Sequence, residues 1–514
     1  MHEFRLLQRL LGFLALCVAF GVGFAGQNIP PKDAKDKEGP KLWPKDFNAC
    51  RVDFNRPSDD DFCKDKRKHL PKNVIIMIAD GGGFNHFKAA DYYQCGQIPC
   101  QPYEDSPADL PALALPWRGA GVAQEKSEAP AKAGFPVCLA MSTYPYGGEY
   151  NAKVAWCSFE YVENGWTDSA AAATAMATGF KTYNEGIGVD VNGAPVLNLL
   201  ERAEQLGKAT GVITSVPFSH ATPAGFVVHN VSRDNYAQIA ADMVNKSAAD
   251  VVMGCGHPFY NADGKPRVTP KYEYVSSSTW SALASGSAGG DANGDGIADS
   301  WTLVQTRAQF QALASGPAPK RVFGVPQVYK TLQEERSGNT LAAPYEVPLT
   351  QTVPTLEEMT RAALNVLDDD SNGLFLMIEG GAVDWAAHYN QSGRLIEEMN
   401  DFNKSIKAVI HWVDKKSSWG ETLLIITADH ETGYLTGPDS GGSVWNDLVN
   451  NGPGNLPTME WHSGTHTNSL VPFFAKGRGA QSFKDTIDGY DPVRGPYIDN
   501  TDIANVIFSL WHTN

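Results

Sequence analysis

The chain has 514 residues, beyond the size at which one hydrophobic core usually stops growing, so it can hold one large domain with an insertion or two domains. Hydrophobic residues make up 42% and charged residues 19%, a globular composition that excludes a disordered chain. Lys and Arg number 42 against 58 Asp and Glu, and the net charge of -16 argues against nucleic acid as a partner; an anionic ligand would need local positive charge, for which bound metal ions are the obvious source.

Residues 1–25 read as a secretory signal peptide: Arg5 and Arg9 precede an apolar run over 10–24 that ends at the small Ala25. The run is shorter than the roughly 20 residues a spanning helix needs. The expectation is an exported protein, periplasmic or extracellular, with no stable membrane span after signal cleavage; an uncleaved anchor is the alternative. Residues 26–70, irregular and rich in lysine and proline, read as an N-terminal arm before the main domain, 71–514. Cys17 would leave with the signal. Nearest-neighbour pairing of the rest gives Cys50 with Cys63, Cys95 with Cys100 and Cys138 with Cys157, and leaves Cys255 in its apolar run as a buried thiol. No Cys-x-x-Cys repeat supports a zinc site made of cysteines.

Short runs rich in β-branched residues predict buried parallel strands over 73–79, 210–214, 250–253, 374–378 and 423–427. Helix-period apolar spacing lies between them, over 197–206, 235–246, 355–367 and 392–413. The alternation predicts an α/β fold: a doubly wound, mostly parallel central sheet with helices on both faces. Ligands of such sheets sit beyond the carboxyl ends of the strands, so the chemistry is expected just after them. Over 256–352 the regularity weakens into Ser/Gly-rich patches and scattered prolines, which reads as an inserted irregular subdomain outside the main site.

Behind the first strand stands Asp80-Gly81-Gly82-Gly83, an acid followed by residues that let backbone and ligand approach closely. Alone, it reads more simply as a glycine turn. Thr167-Asp168-Ser169 then opens an alanine-rich predicted helix that ends at Gly179, which puts Ser169 at the positive end of the helix. Asp168 or Ser169 is equally well placed as an N-cap. The alanines would leave one helix face free of bulky groups, so that backbone amides near Ser169 can meet an anion such as a phosphoryl group on its hydroxyl.

Glu379-Gly380-Gly381 follows the strand at 374–378, and a helix starting near Val383 would place Asp384 and His388 four apart on one face, as two ligands of one metal require. A helix salt link is the bland reading of that pair. Glu379 stays at the strand end, available to a different ion. Asp429-His430 follows the strand at 423–427, and His466-Thr467-Asn468 precedes the apolar run from Leu470 to Phe474. Carboxylates and imidazoles converging at one sheet edge suit zinc. His462 is the rival of His466, whose Thr-Asn context lies nearer the strand that would fix it. His86, His229, His257, His411 and His512 are read as structural or surface residues.

These motifs, with Ala221-Thr222-Pro223-Ala224 and Ser232-Arg233, stand in the order in which the alkaline phosphatase family carries them, and the sequence resembles that family over most of its length. The resemblance implies hydrolysis of small phosphate monoesters through a phosphoseryl intermediate on Ser169, with two zinc ions and one magnesium, in a homodimer. It implies Asp384, His388 and His466 as ligands of the first zinc and Asp80, Asp429 and His430 as ligands of the second. Asp80, Thr222 and Glu379 would hold magnesium, and the Arg233 fork would grip two phosphate oxygens. Trp385 would line the substrate site.

Two positions depart from the pattern. His220 stands where some members carry a carboxylate near magnesium, and Trp385 replaces a polar or basic residue that in others helps bind phosphate through water. Both bear on magnesium affinity, pH optimum and product release rather than on the reaction class. A phosphodiesterase or sulfatase of the wider superfamily is the enzymatic alternative, and an inactive exported protein that binds metal or phosphate is the non-enzymatic one.

Within the insertion, Asp291, Asn293, Asp295 and Asp299 space oxygen side chains around Gly296 as in a calcium loop, although position twelve is Thr302 rather than Glu. A polar turn is an equal reading. Calcium there would stabilise the insertion without entering catalysis.

Overall fold

All seven residues of β1 (Asn73–Ala79) are buried, and successive side chains serve two separate cores: Val74, Ile76 and Ile78 face one, Ile75, Met77 and Ala79 the other. A strand covered on both sides must be apolar throughout, which is why it stands out in the sequence. The computed structural model describes residues 70–104, 134–291 and 297–512. The expected signal peptide, the arm up to residue 69, the Cys50 and Cys63 pair, and Asn293 and Asp295 of the calcium loop lie outside the described residues.

Parallel pairing joins β1 to β7 (Leu374–Gly380) on one side and to β8 (Thr422–Thr427) on the other. β3 (Ala209–Pro217) follows β7, and β4 (Val251–Cys255) follows β3, both parallel. Beyond β4 come β5 (Thr302–Val304) and β6 (Val322–Gly324), three residues each, at the sheet edge. The stretch 256–352 therefore extends the main sheet as well as looping out from it; strands this short carry no readable periodicity.

On the other side of β8, β11 (Val471–Gly477) runs antiparallel to both β8 and β2 (Val137–Ser142). β13 (Gly495–Asp499) and the antiparallel β12 (Gly489–Asp491) close that end. Among the described residues this makes one eleven-stranded sheet, ordered β12-β13-β2-β11-β8-β1-β7-β3-β4-β6-β5, mostly parallel, with helices against both faces. A separate two-stranded ribbon pairs β9 (Glu431–Thr432) with β10 (His466–Thr467).

Cys95 and Cys100 are joined in a disulfide, with Cα atoms 5.9 Å apart. The expected bond between Cys138 and Cys157 does not form: Cys138 lies within β2, whereas Cys157 is an exposed free thiol just past the short helix Ala152–Ala155. Cys255 is buried at the end of β4. At the base of the loop that holds Asp291 and Asp299, the Arg321 guanidinium donates to the carbonyls of Ala249, Gly290, Asp299 and Ser247 at 2.6–3.0 Å.

Candidate active site

Register places the carboxyl ends of the parallel strands side by side, with Ile78 opposite both Glu379 and Thr427, and Thr214 opposite Glu379. Asp80 follows β1 directly. Gly81 turns the chain with φ +71°, and a Cβ there would lie 2.8 Å from the Asp384 Cα, so both the backbone and the close approach require glycine. The Gly81 and His430 amides both donate to Asp429 Oδ1, at 3.0 and 2.9 Å, which ties the end of β1 to the end of β8.

Ser169 opens the helix Ser169–Thr178, capped by the Asp168 carboxylate, which accepts from Ala171 N at 2.9 Å, and ended by Gly179 at φ 79°. Every residue of that helix is buried. The alanines do not form an open face: they admit the helix Ala221–Val227 so closely that a Cβ on Gly225 would come within 2.9 Å of Ala173 Cβ. Ser169 Oγ is thereby held 3.2 Å from His430 Nε2 and 3.5 Å from Asp80 Oδ1. The second Asp168 oxygen accepts from Arg233 at 3.0 Å and from the Glu185 amide at 3.0 Å, so the cap of the serine helix also orients the guanidinium.

Three histidines converge with one edge each already engaged. His466 Nδ1 meets the Thr167 carbonyl at 2.8 Å, His388 Nδ1 meets the Gly464 carbonyl at 2.8 Å, and His430 Nδ1 lies 3.3 Å from Thr432 Oγ1. A carbonyl only accepts, so Nδ1 of His388 and of His466 carries a proton, and Nε2 is the atom that each ring turns inward. Those two Nε2 atoms are 3.1 Å apart, so a proton or a metal cation must lie between or beside them. Asp384 Oδ2 lies 3.3 Å from His388 Nε2, and Asp384 Oδ1, which accepts from Thr432 Oγ1 at 2.6 Å, lies 3.6 Å from His466 Nε2.

Ligand atoms of Asp384, His388 and His466 all lie within 4.8 Å of one another, and so do those of Asp80, Asp384 and His430. Asp429 stands beside the second group, its Oδ2 3.1 Å from His430 Nε2. Asp80 Oδ2, Thr222 Oγ1 and both Glu379 carboxylate oxygens are buried without a hydrogen-bond partner. Leaving such groups unmet costs about 1–3 kcal/mol each, more when charged, so the donor set fits hard cations. Burial, then Asp429, Asp384 and Glu379, push the Asp80 carboxyl well above its usual range. Glu379 is raised to about 7, by burial first and then by Asp429. Burial opposes ionisation of Asp384 too, but His388, His466 and His430 hold its carboxyl low, and in return Asp384 lifts His388 to about 9 against the effect of burial.

The family model for alkaline phosphatase matches residues 128–452. Alkaline phosphatase 3 of Bacillus subtilis is 31% identical over 382 residues, covering 72% of this chain and 63% of its own. The chain belongs to the alkaline phosphatase family. Alkaline phosphatase H of Pseudomonas aeruginosa is 29% identical over 448 residues, covering 81% of this chain and 82% of its own. Among solved structures, a variant of the alkaline phosphatase from the Antarctic bacterium TAB5, described with magnesium bound in its M3 site, shares the fold at a TM-score of 0.55 and 24% identity, over 87% of this chain and 99% of that one. As an alkaline phosphatase-family member the protein is a phosphomonoesterase, a hydrolase of phosphate esters.

Around this centre the remaining residues divide. Arg233 reaches it through Asp168, and its NH2 group is 3.5 Å from His220 Nε2. Trp385 packs edge-on to His220 with ring centroids 5.8 Å apart. His462 instead pairs with Thr436 Oγ1 at 2.7 Å and packs against Phe159, outside both ligand groups. Thr432 is the residue that motif reading missed; its only sequence signal is alternation in an extended segment, which returns it to the side of His430 two residues earlier.

Proposed function

We propose that the protein hydrolyses small phosphate monoesters through a phosphoseryl intermediate on Ser169, at a site for two zinc ions and one magnesium. The observation that carries this reading is the Ser169 hydroxyl at a buried helix N-terminus, 3.2 Å from His430 Nε2 and 3.5 Å from Asp80 Oδ1, with the other Asp80 oxygen buried and meeting no donor. Asp384, His388 and His466 would hold one zinc, Asp80, Asp429 and His430 the other, and Asp80, Thr222 and Glu379 the magnesium. Bound there, the cations supply Lewis-acid charge that favours the serine alkoxide, neutralises the leaving oxygen and lowers the pKa of an attacking water.

Ser169 Oγ attacks phosphorus in line, and its new bond forms as the ester P–O bond breaks. Arg233, with one nitrogen committed to Asp168, turns its other donors to two phosphoryl oxygens and steadies charge that grows in the transition state. Water then attacks the same phosphorus, which releases inorganic phosphate and restores the hydroxyl.

Export and homodimer formation belong to the same proposal; the Cys95–Cys100 disulfide supports export, and the homodimer rests on the family resemblance alone. Among the described residues no helix is long and apolar enough to cross a membrane. Steady-state hydrolysis of an aryl phosphate by wild type and Ser169→Ala, with metal content measured before and after chelation, tests the reading. The variant should keep its metals and lose turnover by about a thousandfold or more. Near wild-type turnover in the variant would remove Ser169 from the mechanism.

A further inference from the structure

The helix Ala382–His388 carries two pairs of residues one turn apart. Asp384 and His388 form the ion-holding pair. One residue further round, Trp385 and the following Tyr389 form a second pair, half-buried and 64% exposed respectively, that flanks the first on the solvent side. Trp385 connects inward through His220 to Arg233, and the Tyr236 ring lies nearly parallel to that of His220, with centroids 6.2 Å apart at 14°. Lys330, from the insertion, sets its ammonium 5.3 Å from the centre of the Trp385 ring.

Lys330 Nζ donates to Glu335 Oε1 at 2.8 Å, and an ammonium has three donors, so two remain for another acceptor. Glu335 and Glu273 keep it charged against the effect of burial, and over the neighbouring Tyr329 ring lie Lys271, which pairs with Glu273, and Arg267. Lys330, Lys271 and Arg267 outweigh Glu335 and Glu273 by one charge, so a locally positive patch with free ammonium donors lies beside the Trp385 ring in an acidic protein.

We infer that Trp385, Tyr389 and Lys330 form a leaving-group subsite that favours phosphate monoesters whose leaving group is a planar ring bearing its own negative charge. The ring lies against Trp385 and Tyr389, and the anionic substituent meets Lys330. This subsite rests on the phosphomonoesterase reading above and adds the substrate class to it.

The test compares kcat/KM of the holoenzyme for two aryl phosphates of matched leaving-group acidity, one uncharged on the ring and one carrying a carboxylate. Wild type should prefer the carboxylate ester by about fivefold, the scale of one partly exposed charge pair. Lys330→Met should bring the ratio to one, Lys330→Arg should keep it, and molar salt should collapse it in wild type. A wild-type ratio of one, or a ratio that survives in Lys330→Met, overturns the subsite while leaving the hydrolytic reading intact. Turnover of neither ester by wild type would instead sink that reading, and the subsite with it.

Discussion

Where the insertion meets the long helix Ser392–Lys416, Arg336 is buried with every donor group engaged: Glu397 at 2.7 Å and the carbonyls of Val347, Pro348 and Gln333 at 2.8–3.1 Å. The other Glu397 oxygen accepts from the Tyr345 amide. At the ends of β1 and β7 the charge is equally buried but left open, with Asp80 and Glu379 presenting oxygens that meet no donor and three histidines turning Nε2 inward. A charge network closed by the chain itself holds two segments together. One left open is unstable alone and becomes stable only with a ligand.

The sharpest way to break this contrast is Arg336→Met, which strands Glu397 in the interior and should cost about 3–5 kcal/mol in a urea melt. Turnover per folded molecule should not change. A loss of turnover with unchanged stability would mean that the junction is not purely structural.

In the metal-stripped protein, Glu379→Gln should work in the opposite direction. Burial and Asp429 raise the Glu379 carboxyl from 4.5 to about 7 in the folded state, so the proton is favoured there and its contribution to stability is lost as pH rises from about 4.5 through 7. Stripped wild type should therefore fall in stability across that window by about 2 kcal/mol more than the variant. Parallel pH curves for the two would show that the open site stores no such penalty. Smaller again is Thr432→Val, which removes the donor to Asp384 and should lower metal affinity at the proposed zinc site about tenfold, read by competition with a chelator, with the fold unchanged.

The central strands were legible because burial on both faces makes them continuously apolar: β1 falls on the expected residues, and β7 and β8 extend theirs by one or two. β2, β12 and β13 escaped notice. β12 and β13 are short, open on Gly and mix in Asp, so they carry no apolar run, whereas β2 is apolar from Val137 to Met141 but poor in the β-branched residues that mark the central strands. Asp80, Glu379 and Asp429-His430 stood out as strand-end motifs, because a parallel sheet gathers such ends at one edge, and Ser169 stood out as the start of an alanine-rich helix. What fixes them was invisible: the carbonyls of Thr167 and Gly464 carry no side-chain identity, and Thr432 becomes meaningful only once β9 lies beside β10. The alanine run marked the helix Ser169–Thr178, but its small side chains admit Gly225 of the neighbouring helix rather than leaving a face open.

In the short ribbon, Thr432 turns toward Asp384 together with His430, while Glu431 turns the other way to accept from Thr467. Adding or deleting one residue between β8 and β9 would exchange these directions, putting an acid where an imidazole belongs. Natural variation in this segment should accordingly be confined to replacements that preserve its length.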